Sequence, residues 1–286
     1  MLPAPFDYTA ARTVEEAVAA KSAGGDETRF LAGGQSLLPL MKLRLASPTL
    51  LVDINRIDNL DTLARTDGRL EVGALVRHAD VAASSQTFGA IASAAPWVAD
   101  PVVRNLGTMC GSVAHCDPEG DWNSVLLATG ADVVAQGPGG ERAVPIADFV
   151  RGFFQNALAD DEMVTGLRIP VPAGRCGGSY KKLERKVGDY ATVAVAAHLE
   201  LDDDGTISTA GLALTAVAPI NLKVTEAETV LAGNVPSAEL FAQAGEIAAA
   251  ACEPRDDVRG TAVWKRQVVR TFTARALTEA AEAAQA

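Results

Sequence analysis

The chain has few residues of the types that hold metal ions or build aromatic pockets. Its 286 residues include three histidines, three tryptophans, three tyrosines and four cysteines. The cysteines stand at positions 110, 116, 176 and 252, which gives no C-x-x-C pair of the kind typical of zinc or iron–sulfur sites. The sequence therefore predicts no metal site in this chain, and free thiols fit a reducing, cytoplasmic compartment best.

The sequence also lacks a basic surplus and a long apolar run. It carries 25 Lys and Arg against 36 Asp and Glu, a formal net charge of −11, which argues against a nucleic-acid partner. No run of roughly 18 apolar residues is present, so no membrane span is predicted. The first residues, MLPAPFDYTA, have neither the basic start nor the apolar core of a secretory signal. A hydrophobic content of 48% predicts a folded protein.

Glycine and small polar residues are concentrated in two segments. The first reads AGGQS at residues 32–36 and follows a β-like run at 29–31, while the second reads RNLGTMCGSVAHCDPEGD at residues 104–121. Glycine lets the backbone approach a ligand closely, and successive amides can form an anion-binding concavity. Either segment alone is also typical of a surface turn. Together they favour one extended ligand held at two points.

Hydroxyl and carboxylate groups in the second segment suit such a ligand. Thr108 and Ser112 can donate to phosphate, and Asp117 and Asp121 can accept from sugar hydroxyls. His115 is either a ligand contact or a satisfied core histidine.

The hydrophobic pattern predicts an α+β fold with a boundary in the turn-rich segment 172–178. Upstream we expect strands at 29–31, 50–54, 69–74, 132–136, 142–145 and 162–169, with 132–136 and 142–145 joined as a hairpin. Helices are expected at 13–21, where Thr13 and Glu16 form a capping-box pattern, at 80–83 and at 89–95, and a buried helix or turn at 123–130. Downstream we expect a three-stranded antiparallel meander at 179–184, 192–201 and 207–217. Helices are then predicted at 226–232, 237–251 and 258–284.

A third motif, KKLERKVGDYA at residues 181–191, follows AGGQS and RNLGTMCGSVAHCDPEGD in the sequence, so the three motifs are spread over most of the chain. With them the sequence resembles the FAD-binding medium subunits of molybdenum hydroxylases, the carbon monoxide dehydrogenase and xanthine dehydrogenase-like group. The resemblance implies a two-part FAD-binding domain of the vanillyl-alcohol-oxidase (PCMH) type at 1–173, with sub-parts at about 1–56 and 57–173. It implies a carbon monoxide dehydrogenase flavoprotein C-terminal-like domain, a three-stranded sheet with a helical bundle, at 174–286.

The resemblance also implies the residues that bind FAD, and it implies no catalytic residue on this chain. The cofactor-binding set is Ala32, Gly33, Gly34, Gln35, Ser36, Val103, Gly107, Thr108, Gly111, Ser112, His115, Asp117, Asp121, Val164, Lys182 and Tyr190. The first loop matches the family's pyrophosphate loop, and Asp121 matches a carboxylate that contacts sugar or ribityl hydroxyls. Asp117 has an alternative role in capping the turn at Pro118.

Two positions leave alternatives open. The family usually has glycine where Cys110 stands, so cysteine would be strained there if that position required a positive φ. Cys110 and Cys116 could form a redox pair, although small buried thiols are the simpler interpretation. Lys181 and Lys182 are adjacent in a predicted strand, so only one points inward, and Lys182 is our choice. Val164, Lys182 and Tyr190 match positions that line the flavin ring.

The implied function is electron transfer rather than substrate chemistry. A large subunit with a molybdenum–pterin cofactor would oxidise the substrate, and a small subunit with two [2Fe–2S] clusters would pass electrons to FAD on this chain. An external acceptor would then receive them, within a dimer of heterotrimers that could sit at the inner face of the membrane through its partners. The alternatives are a self-sufficient FAD-dependent oxidase and a flavin-free scaffold subunit.

Overall fold

A small parallel sheet begins the fold in the computed structural model, which describes residues 2–286. Its strands β1 (Asp7–Ala10), β2 (Thr28–Leu31) and β3 (Leu50–Asp53) lie in the order β1-β3-β2. Parallel neighbours need a crossover connection, and α1 (Val14–Gly24) and α2 (Leu37–Lys42) are part of those connections. The segment 32–36 therefore leaves the sheet where the parallel strands β2 and β3 both end. The predictions for β2 and β3 are correct, whereas β1 was not predicted.

The predicted cap of the first helix is present. The Thr13 hydroxyl accepts a hydrogen bond from the Glu16 amide at 3.1 Å, which satisfies one free donor of the first turn. The Glu16 carboxylate accepts from the Arg12 amide at 2.7 Å, one residue earlier than a standard capping box requires.

The second sheet is antiparallel and has five strands in the order β4-β5-β10-β6-β7. They are β4 (Leu63–Thr66), β5 (Arg69–Gly73), β6 (Asp132–Gly137), β7 (Gly140–Pro145) and β10 (Met163–Pro170). The predicted hairpin of β6 and β7 is confirmed, with Gly137 paired to Gly140. β4 was not predicted, because two of its four residues are exposed and give little apolar signal.

Short helices link these strands and cover the second sheet. They are α3 (His78–Ala83), α4 (Gly89–Ala94), α5 (Pro101–Arg104), α6 (Met109–His115), α7 (Asp121–Thr129) and α8 (Ile146–Phe149), followed by the small hairpin of β8 (Val150–Gly152) and β9 (Gln155–Asn156). Every residue of α7 is buried. The helix is therefore a central core element, and its first residue, Asp121, is held rigidly.

The remaining residues form a sheet with three helices. Its strands β11 (Arg175–Glu184), β12 (Ala191–Leu201), β13 (Ile207–Thr215) and β14 (Leu222–Lys223) follow one another in that order. The helices are α9 (Thr225–Leu231), α10 (Ala238–Ala251) and α11 (Ala262–Gln285). The expected three-stranded meander is present with one correction, since the two-residue β14 adds a fourth strand.

Strand β12 belongs to two hydrophobic cores. Ala194 and Ala196 pack into the core shared with α7, whereas Val193, Val195 and Ala197 pack into the core shared with α10 and α11. Successive side chains of a strand point to opposite faces, so a strand covered on both faces is apolar throughout. This sandwich fixes the C-terminal sheet against the region that carries the glycine loops.

The segment 172–178 is only partly irregular, because β11 already begins at Arg175. Gly177 and Gly178 serve helix packing rather than a turn. A Cβ on Gly177 would lie 2.6 Å from the Ala284 nitrogen of α11, and one on Gly178 would lie 2.8 Å from the Gly89 carbonyl carbon of α4. Glycine at both positions lets a helix approach each face of the strand.

The longest helix, α11, covers the outer face of the C-terminal sheet with Val269, Ala276 and Leu277 fully buried. Most of its exposed residues are polar or charged, whereas Val263 and Trp264 at its start are exposed apolar side chains. Across residues 2–286, no helix is both long and apolar enough to cross a membrane.

Candidate FAD site

The two glycine segments meet in the folded chain. A Cβ on Gly33 would lie 2.7 Å from the Gly107 Cα and closer still to the Leu106 carbonyl oxygen. Side-chain atoms do not tolerate such distances, so only glycine allows these backbones to touch. Gly34 adopts a positive φ of 69°, which turns the first loop away from β2. The prediction that the segments act together is consistent with this contact.

A polar clamp that sequence reasoning missed fastens the two loops. The Arg77 guanidinium donates to the Leu106 carbonyl at 2.5 Å and to Asn55 Oδ1 at 2.6 Å. Asn55 Nδ2 donates in turn to the Ala32 carbonyl at 2.9 Å. Arg77 and Asn55 lie outside both glycine motifs, and their juxtaposition depends on the fold, so no local pattern could have identified them.

A cavity of about 620 Å³ opens at the junction, which is within the range of about 300–1,000 Å³ usual for ligand sites. The predicted site residues that line it are Ala32, Gly33, Gly34, Gln35, Ser36, Val103, Gly107, Thr108, Gly111, Ser112, His115, Asp121, Val164 and Tyr190. Asp117 and Lys182 are not among its lining residues. The cavity reaches from β2 to residues 188–190, in the loop between β11 and β12 of the C-terminal sheet.

The Thr108 side chain already makes a hydrogen bond within the protein. Its hydroxyl accepts from the Gly111 amide at 3.1 Å and so caps α6. A Cβ on Gly111 would come within 2.6 Å of that same hydroxyl. Gly111 is thus needed for the cap as well as for access to the cavity.

Asp121 and Lys182 form a buried ion pair at the cavity wall. Lys182 Nζ lies 3.0 Å from Asp121 Oδ2, and the Tyr180 hydroxyl donates to Asp121 Oδ1 at 2.6 Å. Burial raises the pKa of Asp121, and the Lys182 charge opposes that shift. Lys182 also donates to the Trp97 carbonyl at 3.0 Å and approaches Glu184 at 3.5 Å.

This arrangement corrects the expected role of Lys182. The side chain does point inward, with 1% exposure, while Lys181 pairs with Glu279 on the other face. However, it contacts Asp121 rather than the cavity. It therefore lies behind Asp121, whose carboxylate it pairs with at the cavity wall.

Asp117 has the alternative role that the sequence left open. Its carboxylate accepts from the Glu119 amide at 2.9 Å, which stabilises the turn through Pro118. Tyr190 lies at the cavity mouth, half exposed, and burial together with Asp117 and Glu119 raises its pKa to about 12. The Tyr190 phenol is therefore uncharged at neutral pH and available as an aromatic face.

Two contacts between aromatic rings, one at the cavity and one behind its wall, were not predicted. The His115 ring lies 4.8 Å from the Phe154 ring, which also lines the cavity, and burial lowers the pKa of His115. His78 lies behind Gly107, where its Nδ1 accepts a hydrogen bond from Trp122 Nε1 at 3.1 Å. The adjacent aromatic residues Phe153 and Phe154 could have indicated a ligand site in the sequence, whereas no local pattern around His78 indicated one.

Comparison with known proteins agrees with this geometry. Residues 4–172 match the model of the FAD binding domain in molybdopterin dehydrogenase, and residues 178–280 match the CO dehydrogenase flavoprotein C-terminal domain. The chain belongs to this flavoprotein family. The resemblance inferred from the three motifs and the α+β fold are thereby confirmed.

Individual relatives match the flavoprotein along its whole length. The carbon monoxide dehydrogenase medium chain of Hydrogenophaga pseudoflava is 38% identical over 98% of each chain. The 6-hydroxypseudooxynicotine dehydrogenase complex subunit alpha of Paenarthrobacter nicotinovorans is 35% identical over 98% of this chain and 96% of that one. Among solved structures, carbon monoxide dehydrogenase from Hydrogenophaga pseudoflava aligns with a TM-score of 0.95 at 39% identity, covering 99% of both chains.

The quinoline 2-oxidoreductase of Pseudomonas putida 86 extends the likeness beyond carbon monoxide enzymes. Its chain aligns with the flavoprotein over the full length of both, with a TM-score of 0.91 and 30% identity. These relatives are oxidoreductases, several of them named as subunits or medium chains. Neither the self-sufficient oxidase nor the flavin-free scaffold is favoured by them.

The backbone of the flavoprotein resolves the question about its cysteines. Cys110 is the second residue of α6 and has ordinary helical φ, so cysteine in place of glycine is unstrained there. The left-handed residue is Cys116, which ends α6 with a φ of 51°. Burial raises the pKa of the Cys110 thiol far above its usual range and that of Cys116 to about 12. Both thiols therefore stay protonated and unreactive at neutral pH.

Thiol labelling tests this conclusion. In the native flavoprotein at about pH 8 we expect at most the half-buried Cys176 to react, because only thiolates react and the other three thiols are buried. All four should react after unfolding, and Cys176→Ser should remove the native signal. Rapid native reaction of two thiols, or a disulfide between Cys110 and Cys116, would support the redox pair instead.

Proposed function

We propose that this chain is the flavoprotein subunit of a heterotrimeric molybdenum hydroxylase, passing electrons through bound FAD to an external acceptor. The observation that carries the proposal is the backbone contact between Gly33 and Gly107 at a cavity of suitable size. Two glycine loops whose backbones touch bring their amides together at the cavity, which is what a large ligand with a pyrophosphate requires. FAD, when bound, supplies the ability to take up and release electrons singly or in pairs.

The residues divide into three roles in this proposal. The first loop, residues 32–36, binds the pyrophosphate through its amides, and the start of α6, from Thr108 to Ser112, supports it from the other side. Asp121 accepts from the sugar or ribityl hydroxyls, and Lys182 holds its carboxylate in place. Val164 and the Tyr190 ring cover the flavin.

The partners in the proposal are a large subunit with a molybdenum–pterin cofactor and a small subunit with two [2Fe–2S] clusters, assembled as a dimer of heterotrimers. The medium chains that match over their full length support it. We propose a domain boundary at residue 173, supported by family matches that end at 172 and resume at 178. Four free cysteines fit a cytoplasmic setting.

Purification with and without the neighbouring genes tests the proposal. We expect a stoichiometric flavin absorption band, FAD released on heating, and molybdenum and iron only in the preparation that contains the partner subunits. Absence of flavin from both preparations would overturn electron transfer in favour of the scaffold. Substrate turnover by the flavin-containing chain without partners would favour the self-sufficient oxidase.

A further inference from the structure

His78 is a buried histidine that none of the motifs includes. It begins α3, is 5% exposed, and its amide donates to the Gly107 carbonyl at 2.9 Å. Its ring stacks with the fully buried Trp122 ring of α7, with centroids 6.1 Å apart. The imidazole is thus fixed from two sides, between a core tryptophan and the second glycine segment.

The contact with Trp122 determines where the imidazole carries its proton. An indole N–H can only donate, so His78 Nδ1, 3.1 Å from Trp122 Nε1, must be the unprotonated acceptor. Burial, with the nearby charges of Arg104 and Arg77, lowers the pKa of His78 to about 4. The ring is therefore neutral at physiological pH, with its single proton on Nε2.

The protonated edge faces the site. A Cβ on Gly107 would lie 2.9 Å from His78 Cδ2 and 3.0 Å from Nε2, and His78 is one of the residues that line the cavity. Within residues 2–286, no protein group accepts a hydrogen bond from Nε2. Nε2 is not one of the fully buried side-chain atoms that lack a partner, so it is open to the cavity, where a ligand or water can accept its hydrogen bond.

We propose that His78 is a further FAD-binding residue, whose Nε2–H donates to an oxygen of the cofactor beside Gly107 while Trp122 holds the imidazole in that tautomer. The inference rests on the proposed function, because it requires FAD in this cavity. A neutral donor adds no further cation beside the nearby charges of Arg104 and Arg77. Gly107 is then needed for a second reason, since any side chain there would cover the donor.

FAD affinity of substituted full-length protein, in the complex with its partner subunits, provides the first test. His78→Phe keeps the ring and removes the donor, and we expect FAD to bind about tenfold more weakly. His78→Gln keeps an acceptor for Trp122 and an N–H for the cofactor, so it should stay within about threefold of the unsubstituted protein. His198→Gln removes another buried histidine, 4% exposed in β12, and should leave the affinity unchanged.

Nitrogen-15 NMR of the three histidine side chains provides a second test that does not depend on activity or on the folding of a variant. We expect His78 to show the Nε2–H tautomer, and its Nε2 resonance to shift when FAD binds. An Nδ1–H tautomer, or no shift on FAD binding together with unchanged affinity of His78→Phe, would overturn the role of His78. If the unsubstituted complex binds no FAD at all, the proposed function itself fails.

Discussion

Gly33→Ala is expected to release FAD from the protein and to loosen the fold around both glycine segments. The new methyl group would meet backbone, the Leu106 carbonyl and the Gly107 Cα, and backbone cannot rotate away as a side chain can. Overpacking of this kind costs about 1–3 kcal/mol of unfolding free energy. Because the loops must separate to accept the methyl group, FAD retention should fall more than about tenfold, a loss of roughly 1.4 kcal/mol in binding.

The measurement is bound FAD per chain by absorption, with urea unfolding on the same samples. Gly139→Ala is a matched control, since a Cβ at this hairpin turn meets nothing within 4 Å. We expect that control to keep its flavin and to change stability by no more than about 0.5 kcal/mol. Full FAD retention by Gly33→Ala would show that the contact of the two loops does not shape the site.

Lys182→Met is expected to produce the largest loss of stability, about 3–5 kcal/mol, because it leaves the Asp121 carboxylate buried without its cation. Glu184, which also faces Lys182, would add repulsion. Lys181→Met is the matched control one residue away. Its partner Glu279 is half exposed, so at most about 1 kcal/mol should be lost. The unfolding free energy of both variants can be measured in urea.

A double variant and a pH series show whether Asp121 is the cause. Lys182→Met combined with Asp121→Asn should cost less than the sum of the single substitutions, because no unpaired charge remains. Burial already raises the pKa of Asp121, and loss of Lys182 removes the charge that opposes this shift. A native pKa above the unfolded one means that the native state binds more protons, so the stability of Lys182→Met should fall as pH rises through that pKa. Additive costs with no pH dependence would contradict a role through Asp121.

The sequence was informative where function depends on residue type in one segment. The segments around Gly33 and Gly107 could be predicted to act together because both are rich in glycine and small polar residues and contain few large apolar side chains. The alternation of a strand correctly predicted that only one of Lys181 and Lys182 points inward, and the structure shows that it is Lys182. It could not show that Asp121 stands between Lys182 and the cavity, since that depends on how α7 packs against β12 and β13 of the C-terminal sheet.

Other features depend on contacts between distant segments and left no local pattern. Arg77 and Asn55 join the loops from positions that resemble ordinary surface residues, and His78 acquires its tautomer from Trp122, 44 positions away. Gly177 and Gly178 resembled a linker because glycine serves turns and close helix packing equally well. The concern about backbone strain applied to Cys110, whereas the left-handed residue is Cys116, because φ follows from where the helix ends.

The most direct measurement is an experimental structure of the purified complex with its cofactor, by crystallography or electron cryo-microscopy. We predict density for FAD that runs between residues 32–36 and 107–112, with Asp121 beside the hydroxyl-bearing part and Tyr190 against the flavin. FAD bound elsewhere on the chain, or a stoichiometric flavin sample with no density in this cavity, would contradict the assignment of the site.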